Sequence, residues 1–210
     1  SFDTPKGRYS FPADVLTPNG VEKPRLMVHI QFHKEFSDRF FPAEEILSTK
    51  TALALFDYQD VTSDDGDFSN GLAAHFERGE GDSVGKIGLW AYAASRLLDA
   101  LLLFGIDGGG HVGVAGHSRL GKTALWCGAQ DERFTFVYSS QSGAGGASLA
   151  RGKAETGEKV ADLIRNFPYW FCPNYAQFAH KEDEMPFDQH MLLACVAPRL
   201  LYVGSASEDL

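Results

Sequence analysis

The sequence predicts an α/β fold in which a mostly parallel β-sheet is covered by helices on both faces. Short apolar segments typical of strands alternate along the chain with longer amphipathic segments typical of helices. One of these transitions is abrupt, because the apolar run at 112–115 turns at Gly116 into a helix-forming run at 120–129. Polar loops that follow parallel strands meet at one edge of the sheet, where we expect the functional site.

The first half of the chain contains two clear strands and one long polar stretch. Residues 1–24 are rich in proline and glycine and hold one strand candidate at 9–16. The segments 25–32 and 51–58 both predict strands. The stretch 60–82 is rich in aspartate, and we interpret it as a surface loop of Asx turns. Its carboxylates do not have the spacing of a calcium loop, so no metal is expected.

The second half of the chain alternates helices and strands. An amphipathic helix is predicted at 85–104, with apolar residues along one side. A strand at 134–139 opens into a glycine-rich loop at 141–146, and helices at 157–167 and 189–196 precede a last strand at 200–204. Folds of this kind normally continue with another helix and strand. We therefore expect residues 1–210 to form a single domain that is truncated at its ends, either as a short protein or as a fragment.

Composition and charge limit the classes of partner. The 210 residues, of which 44% are hydrophobic and 22% charged, suit one globular domain, which we expect to be a monomer. The net charge of -9 disfavours binding to nucleic acid or to an anionic membrane. No apolar run approaches the ~20 residues of a membrane span, and no signal peptide is recognised at the start. Cys127, Cys172 and Cys195 lack metal-ligand or disulfide spacing, so buried free thiols are expected.

Ser118 stands at the turn between the predicted strand and helix, flanked by Gly116 and Gly121. A sharp strand-to-helix turn exposes a serine hydroxyl to a base, and the backbone N–H of the next residue can bind an oxyanion. The second glycine comes one residue later than in the usual G-x-S-x-G motif. The pattern indicates a nucleophilic serine with Arg119 at the oxyanion, and an ordinary turn with an exposed serine fits it equally well.

A nucleophilic serine needs a base, and the chain has seven histidines. His190, which precedes the last predicted strand, ranks first among them. The others lie in early strands, in polar turns or beside the serine strand: His29, His33, His75, His111, His117 and His180. The residue pattern by itself leaves this choice open.

Several short blocks follow one another in order through the last two thirds of the chain. They are GHSRLGKTALW (116–126), AQDERF (129–134), SGAGGA (142–147), NFPYWF (166–171), PFDQH (186–190), LLACVAPR (192–199) and SASEDL (205–210). Together these blocks resemble the glucuronoyl esterases, carbohydrate esterase family fifteen, and especially their bacterial branch. The first third of the chain is only loosely similar.

This resemblance implies the α/β-hydrolase fold and a serine esterase that needs no cofactor. Such enzymes cleave esters of 4-O-methyl-glucuronic acid, as in the lignin-carbohydrate ester linkages of glucuronoxylan, and a secreted or periplasmic location follows by the same resemblance. It assigns Ser118 as the nucleophile, His190 as the base and Arg119 to the oxyanion. Lys122 and Trp170 match residues that bind the sugar, and Glu158 is a looser match.

The carboxylate that should orient His190 is not evident in the sequence. Fungal members carry it just before the Ser-Gly of the glycine-rich loop, where this chain has Gln141, which we place with the substrate-binding residues. Glu208 follows the last strand, where many α/β-hydrolases place their acid, and we favour it over the neighbouring Asp209. The alternative functions are an acetyl xylan esterase and a catalytically weakened, carbohydrate-binding relative.

Overall fold

The computed structural model describes residues 1–33, 42–152 and 157–206. Within these residues a small antiparallel pair, β1 (Phe2–Thr4) and β2 (Gly7–Tyr9), precedes a six-stranded sheet. The six strands are β3 (Asp14–Leu16), β4 (Arg25–Gln31), β5 (Thr51–Asp57), β6 (Val112–His117), β7 (Phe136–Ser140) and β8 (Leu200–Gly204). Their spatial order is β3-β5-β4-β6-β7-β8, which puts β6 near the middle of the sheet.

Every strand pair in the six-stranded sheet is parallel except β3 with β5 at the edge. The predicted mostly parallel sheet is therefore confirmed. Strand β5 is paired on both sides and buried along almost its whole length, as expected for an interior strand with both faces covered. The parallel arrangement also brings the carboxyl ends of β6, β7 and β8 to the same edge.

Six α-helices connect and flank these strands in the described part of the chain. They are α1 (Ala43–Ser48), α2 (Tyr58–Val61), α3 (Lys86–Leu103), α4 (Arg119–Gln130), α5 (Val160–Asn166) and α6 (Gln189–Ala194). The predicted helix at 85–104 is confirmed as α3, and its apolar side, with Trp90 and Leu98 fully buried, enters the core. Helix α3 packs against α4, and α4 packs against β6 and β7.

Two predictions about the chain were wrong in detail. The strand predicted at 9–16 is divided between β2 and β3, because Pro12 between them has no N–H to donate to a strand partner. The cysteines were expected to be buried, and only Cys127 is. Cys172 is half-buried, and Cys195 is exposed because it ends the short helix α6 at the surface.

Across 1–33, 42–152 and 157–206, no helix is both long and apolar enough to cross a bilayer.

Candidate active site

The turn at Ser118 joins the end of β6 to the start of α4 in a conformation that few residues adopt. Ser118 has φ 56° and ψ −124°, and residues other than glycine rarely adopt such a positive φ. Its backbone N–H donates to the carbonyl of Ser140 at 2.8 Å, which ties the turn to the end of β7. Such strained turns persist where the surrounding packing holds them, and they concentrate at functional sites.

Two glycines make this turn sterically possible. A Cβ on Gly116 would lie 2.2 Å from the carbonyl oxygen of Leu120, and a Cβ on Gly121 would lie 2.7 Å from that of Ser140. Gly121 is inside α4, where the helix crosses the end of β7. The late second glycine of the motif is therefore explained by the close approach of this helix to the neighbouring strand.

Arg119 is the first residue of α4 and presents both a backbone and a side-chain donor. A first-turn N–H has no partner within its own helix, and among the described residues this N–H makes no hydrogen bond. The guanidinium forms an ion pair with Asp64 and lies 4.9 Å from the centre of the Trp170 ring. The sequence interpretation assigned Asp64 only to a surface loop and missed this contact.

Lys122 and Glu158 both lie beside the glycine-rich loop. The buried Lys122 Nζ donates to the carbonyl of Ser142 at 2.6 Å. A Cβ placed on Gly143 would stand 3.8 Å from that Nζ and 3.4 Å from Glu158 Oε2. Both charged atoms therefore lie close to the backbone of Gly143.

Trp170 is packed into an aromatic and cationic stack. Its ring lies parallel to that of Phe167, with centroids 3.9 Å apart, and only 4% of the residue is exposed. Lys122 Nζ lies 5.8 Å from the ring centre, and the indole N–H donates to Asp64 at 2.7 Å. The structure thus places Trp170 beside Arg119 and Lys122.

His190 is held near the glycine-rich loop by the two residues that precede it. Asp188 accepts hydrogen bonds from the backbone N–H groups of Ala150 and Gln189, both at 2.7 Å. The side-chain amide of Gln189 donates to the carbonyl of Gly146 at 2.6 Å. Helix α6 also contacts α4. His190 itself is exposed, and within the described residues its imidazole makes no hydrogen bond to Ser118.

The carboxylate of Asp188 is stabilised in its charged form. Burial raises the pKa of Asp188, but the backbone donors of Ala150, Gln189 and Arg151 outweigh that effect and lower the pKa below its ordinary value. Asp188 therefore works as a fixed anion that fastens the start of α6 to the loop at 150–151.

Gln141, which the family resemblance predicts to stand at the position of the fungal acid, is hydrogen-bonded to the end of β8 and the residues that follow it. Its backbone N–H donates to Gly204 at 2.7 Å, and its side-chain oxygen accepts from the N–H of Ala206 at 2.9 Å. Glu208 and Asp209, the two candidate acids, lie outside the described residues. Within 1–33, 42–152 and 157–206, no group of three or more His, Cys, Asp or Glu residues could hold a metal ion.

Fold and site together define the class of the protein. A mostly parallel sheet flanked by helices, with a serine in a strained strand-to-helix turn at its carboxyl edge, is the α/β-hydrolase architecture. The family model described as glucuronyl esterase, fungi, matches residues 3–209. The chain belongs to the glucuronyl esterase family.

Individual relatives agree with this assignment. Carbohydrate esterase MZ0003 from an unknown prokaryotic organism is 42% identical over 146 residues, which are 67% of this chain and 33% of that protein. The 4-O-methyl-glucuronoyl methylesterase of Podospora anserina is 35% identical over 158 residues, 70% of this chain and 33% of that protein. The solved structure of a glucuronoyl esterase from Solibacter usitatus aligns with a TM-score of 0.80 and 33% identity. The alignment covers 93% of this chain and 59% of that protein's chain. The chain thus spans about a third of the length of the curated relatives it matches.

Substituting Gly116 tests the packing of the serine turn. We expect Gly116→Ala to destabilise the fold by about 1–3 kcal/mol, since the new Cβ meets backbone that cannot move aside. For a chain of this size that lowers the melting temperature by roughly 2–4 °C per kcal/mol. Gly79→Ala is the matched control, because nothing lies within 4 Å of its Cβ. Equal melting temperatures for the two variants would contradict the proposed packing.

Substituting Asp188 tests the anchor of α6 through its pH dependence. Because the folded-state pKa is lowered, the charged carboxylate stabilises the fold above its unfolded pKa, and that stability is lost as the pH falls through the folded pKa. Asp188→Asn should therefore melt below wild type at pH 7, and the difference should shrink as the pH falls below about 4. Asp183→Asn, at an exposed carboxylate of the same segment, serves as the control. A pH-independent difference for Asp188→Asn would exclude the charge as the cause.

Proposed function

We propose that this chain carries the active site of a serine esterase that hydrolyses esters of 4-O-methyl-glucuronic acid. The proposal rests on two findings taken together: the chain belongs to the glucuronyl esterase family, and Ser118 lies in a strained strand-to-helix turn. A serine in a positive-φ turn at the carboxyl edge of a parallel sheet is the geometry that α/β-hydrolases use for their nucleophile. The names of the relatives supply the substrate class, since several are 4-O-methyl-glucuronoyl methylesterases.

The proposed reaction is an acyl transfer in two steps. His190 removes the proton from the Ser118 hydroxyl as its oxygen attacks the uronoyl carbonyl carbon, and the carbonyl oxygen becomes an oxyanion. The backbone N–H and the guanidinium of Arg119 stabilise that oxyanion. When the intermediate collapses, His190 returns the proton to the departing alcohol. Water then attacks the acyl-serine by the same route and releases the uronic acid.

The sugar is proposed to occupy the region around Lys122, Glu158 and Trp170. The buried Lys122 ammonium offers a cation beside the aromatic stack, and Glu158 offers acceptors for sugar hydroxyls. Gln141 is proposed to contact the substrate from the end of β7. The substrate class, esters of glucuronoxylan with lignin alcohols, is extracellular, and we propose a secreted or periplasmic location for that reason.

The acid that orients His190 is proposed to be Glu208, with Asp209 as the second candidate. Two observations support a carboxylate from this part of the chain. Strand β8 lies beside β7, which feeds the glycine-rich loop. The side chain of Gln141 binds the N–H of Ala206, two residues before Glu208, and so holds the chain after β8 at the edge where α6 is anchored.

Turnover of benzyl glucuronate is the first test of the proposed function. Wild-type protein should release benzyl alcohol and glucuronate faster than it hydrolyses para-nitrophenyl acetate. Ser118→Ala should lower kcat by about 10³-fold or more, because the nucleophile is gone. Ser48→Ala, at an exposed serine of α1, is the control. A preference for the acetyl ester would favour an acetyl esterase, and no turnover of either ester would favour the carbohydrate-binding alternative.

A second test compares the candidate acids. Glu208→Gln should lower kcat by roughly 10²–10⁴-fold, since an amide cannot stabilise the imidazolium. Asp209→Asn should lower kcat less. Gln141→Glu should raise kcat little, because Glu208 already supplies the carboxylate for His190. If Asp209→Asn were the more damaging change, or if neither variant lost activity, the choice of Glu208 would be wrong.

A further inference from the structure

The acidic loop is folded around a buried ammonium group. Lys86, the first residue of α3, is fully buried, and its Nζ donates to Thr62 Oγ1 at 2.9 Å and to the carbonyl of Asp67 at 2.6 Å. The same Nζ also donates to Ser63 Oγ at 3.3 Å and lies 4.6 Å from the centre of the Phe68 ring. Burial lowers the pKa of Lys86, while the neighbouring aspartates oppose that effect. All three ammonium protons thus have acceptors in the loop.

Two of the loop's five aspartates, Asp65 and Asp67, form Asx turns. Asp65 Oδ1 accepts from the Ser63 hydroxyl at 2.6 Å and from the N–H of Asp67 at 2.9 Å. Asp67 in turn accepts from the N–H of Ser69 at 2.7 Å and from Asn70 Nδ2 at 2.9 Å. These bonds confirm the predicted Asx turns and give the loop a defined shape.

Asp64 receives donors from three other parts of the chain. The indole N–H of Trp170 donates to Oδ1, the Tyr58 hydroxyl donates to Oδ2 at 3.0 Å, and Arg119 Nη1 also donates to Oδ2. The carboxylate side chain is 9% exposed. Burial and the adjacent Asp64 charge raise the pKa of Tyr58 to about 12, so the hydroxyl remains a donor.

The ion pair does not use every donor of the guanidinium, and the Arg119 side chain is 27% exposed. Arg119 Nε is buried, and among the described residues it has no hydrogen-bond partner. Asp64 and the ring of Trp170 hold the guanidinium from two sides, so its remaining donors have a fixed direction. Donors that are fixed before the reaction stabilise a developing oxyanion without a reorganisation cost.

We propose that Asp64 is the positioning residue that fixes Arg119, and that Lys86 is the internal cation that fixes the loop carrying Asp64. This inference rests on the proposed role of Arg119 at the oxyanion. The aspartate-rich stretch would then contribute to the reaction by holding Arg119 in place, and no residue of that stretch is proposed to touch the substrate. Asp64 acts through Arg119, so its effect on kcat must disappear when the Arg119 side chain is absent.

A double-mutant cycle on benzyl glucuronate tests the inference. Asp64→Asn should lower kcat by about 10–100-fold, a part of the 10²–10³-fold loss that follows removal of an oxyanion donor. In an Arg119→Ala background the same change should have almost no further effect on kcat. Tyr58→Phe removes one donor to Asp64 with less disturbance, and its smaller loss should vanish in the same background. Asp82→Asn, at an exposed aspartate of the same stretch, is the control.

Chemical modification provides a readout that does not depend on esterase activity. Phenylglyoxal labelling followed by peptide mass spectrometry should modify Arg119 severalfold faster in Asp64→Asn and in Lys86→Met than in wild type or Asp82→Asn. Unchanged labelling of Arg119, or a kcat loss that persists in the Arg119→Ala background, would overturn the inference. If the wild type does not hydrolyse the ester, or if Arg119→Ala keeps full kcat, the proposed function fails, and the labelling alone decides whether Asp64 positions Arg119.

Discussion

The close contact of α4 with the carboxyl ends of β6 and β7 is the constraint on which the site depends. Gly116 and Gly121 allow the helix backbone to approach both strands, and the buried Ser139 hydroxyl donates to the carbonyl of Gly121 at 3.0 Å. This packing holds Ser118 in a conformation that an isolated chain would avoid. Because Arg119 and Lys122 follow in the first turns of the same helix, their positions are set by the same contact.

Three further segments reach the edge of the sheet and are each fastened by a charged group. The glycine-rich loop receives the Lys122 ammonium at the carbonyl of Ser142. Helix α6 is tied to the chain after that loop by Asp188, whose charge is stabilised by backbone N–H groups. The acidic loop surrounds the Lys86 ammonium. Each charge is buried with its hydrogen-bond partners, as a buried charge requires. The site is thus assembled from distant parts of the chain by local electrostatic contacts.

Local patterns were sufficient to predict most of the fold and part of the site. The apolar periodicity of α3 and the continuous apolar run of β5 are properties of single segments, and so is the serine turn. The contact of Asp64 with Arg119 joins residues 55 positions apart, and no local pattern contains it. Lys86 was likewise unpredictable, since a lysine at a helix start normally faces solvent. The residue pattern ranked His190 first but left the choice open, and the family resemblance made the assignment, because its neighbours Asp188 and Gln189 acquire their roles in the tertiary structure.

The central claim is that the turn at 116–121 presents Ser118 as an activated nucleophile. The most direct measurement is covalent labelling of the folded protein with a fluorophosphonate, followed by peptide mass spectrometry. We expect one phosphonyl adduct, on the hydroxyl of Ser118, and protection from labelling when benzyl glucuronate is present in excess. An adduct on another serine, or no adduct on folded protein, would contradict the account.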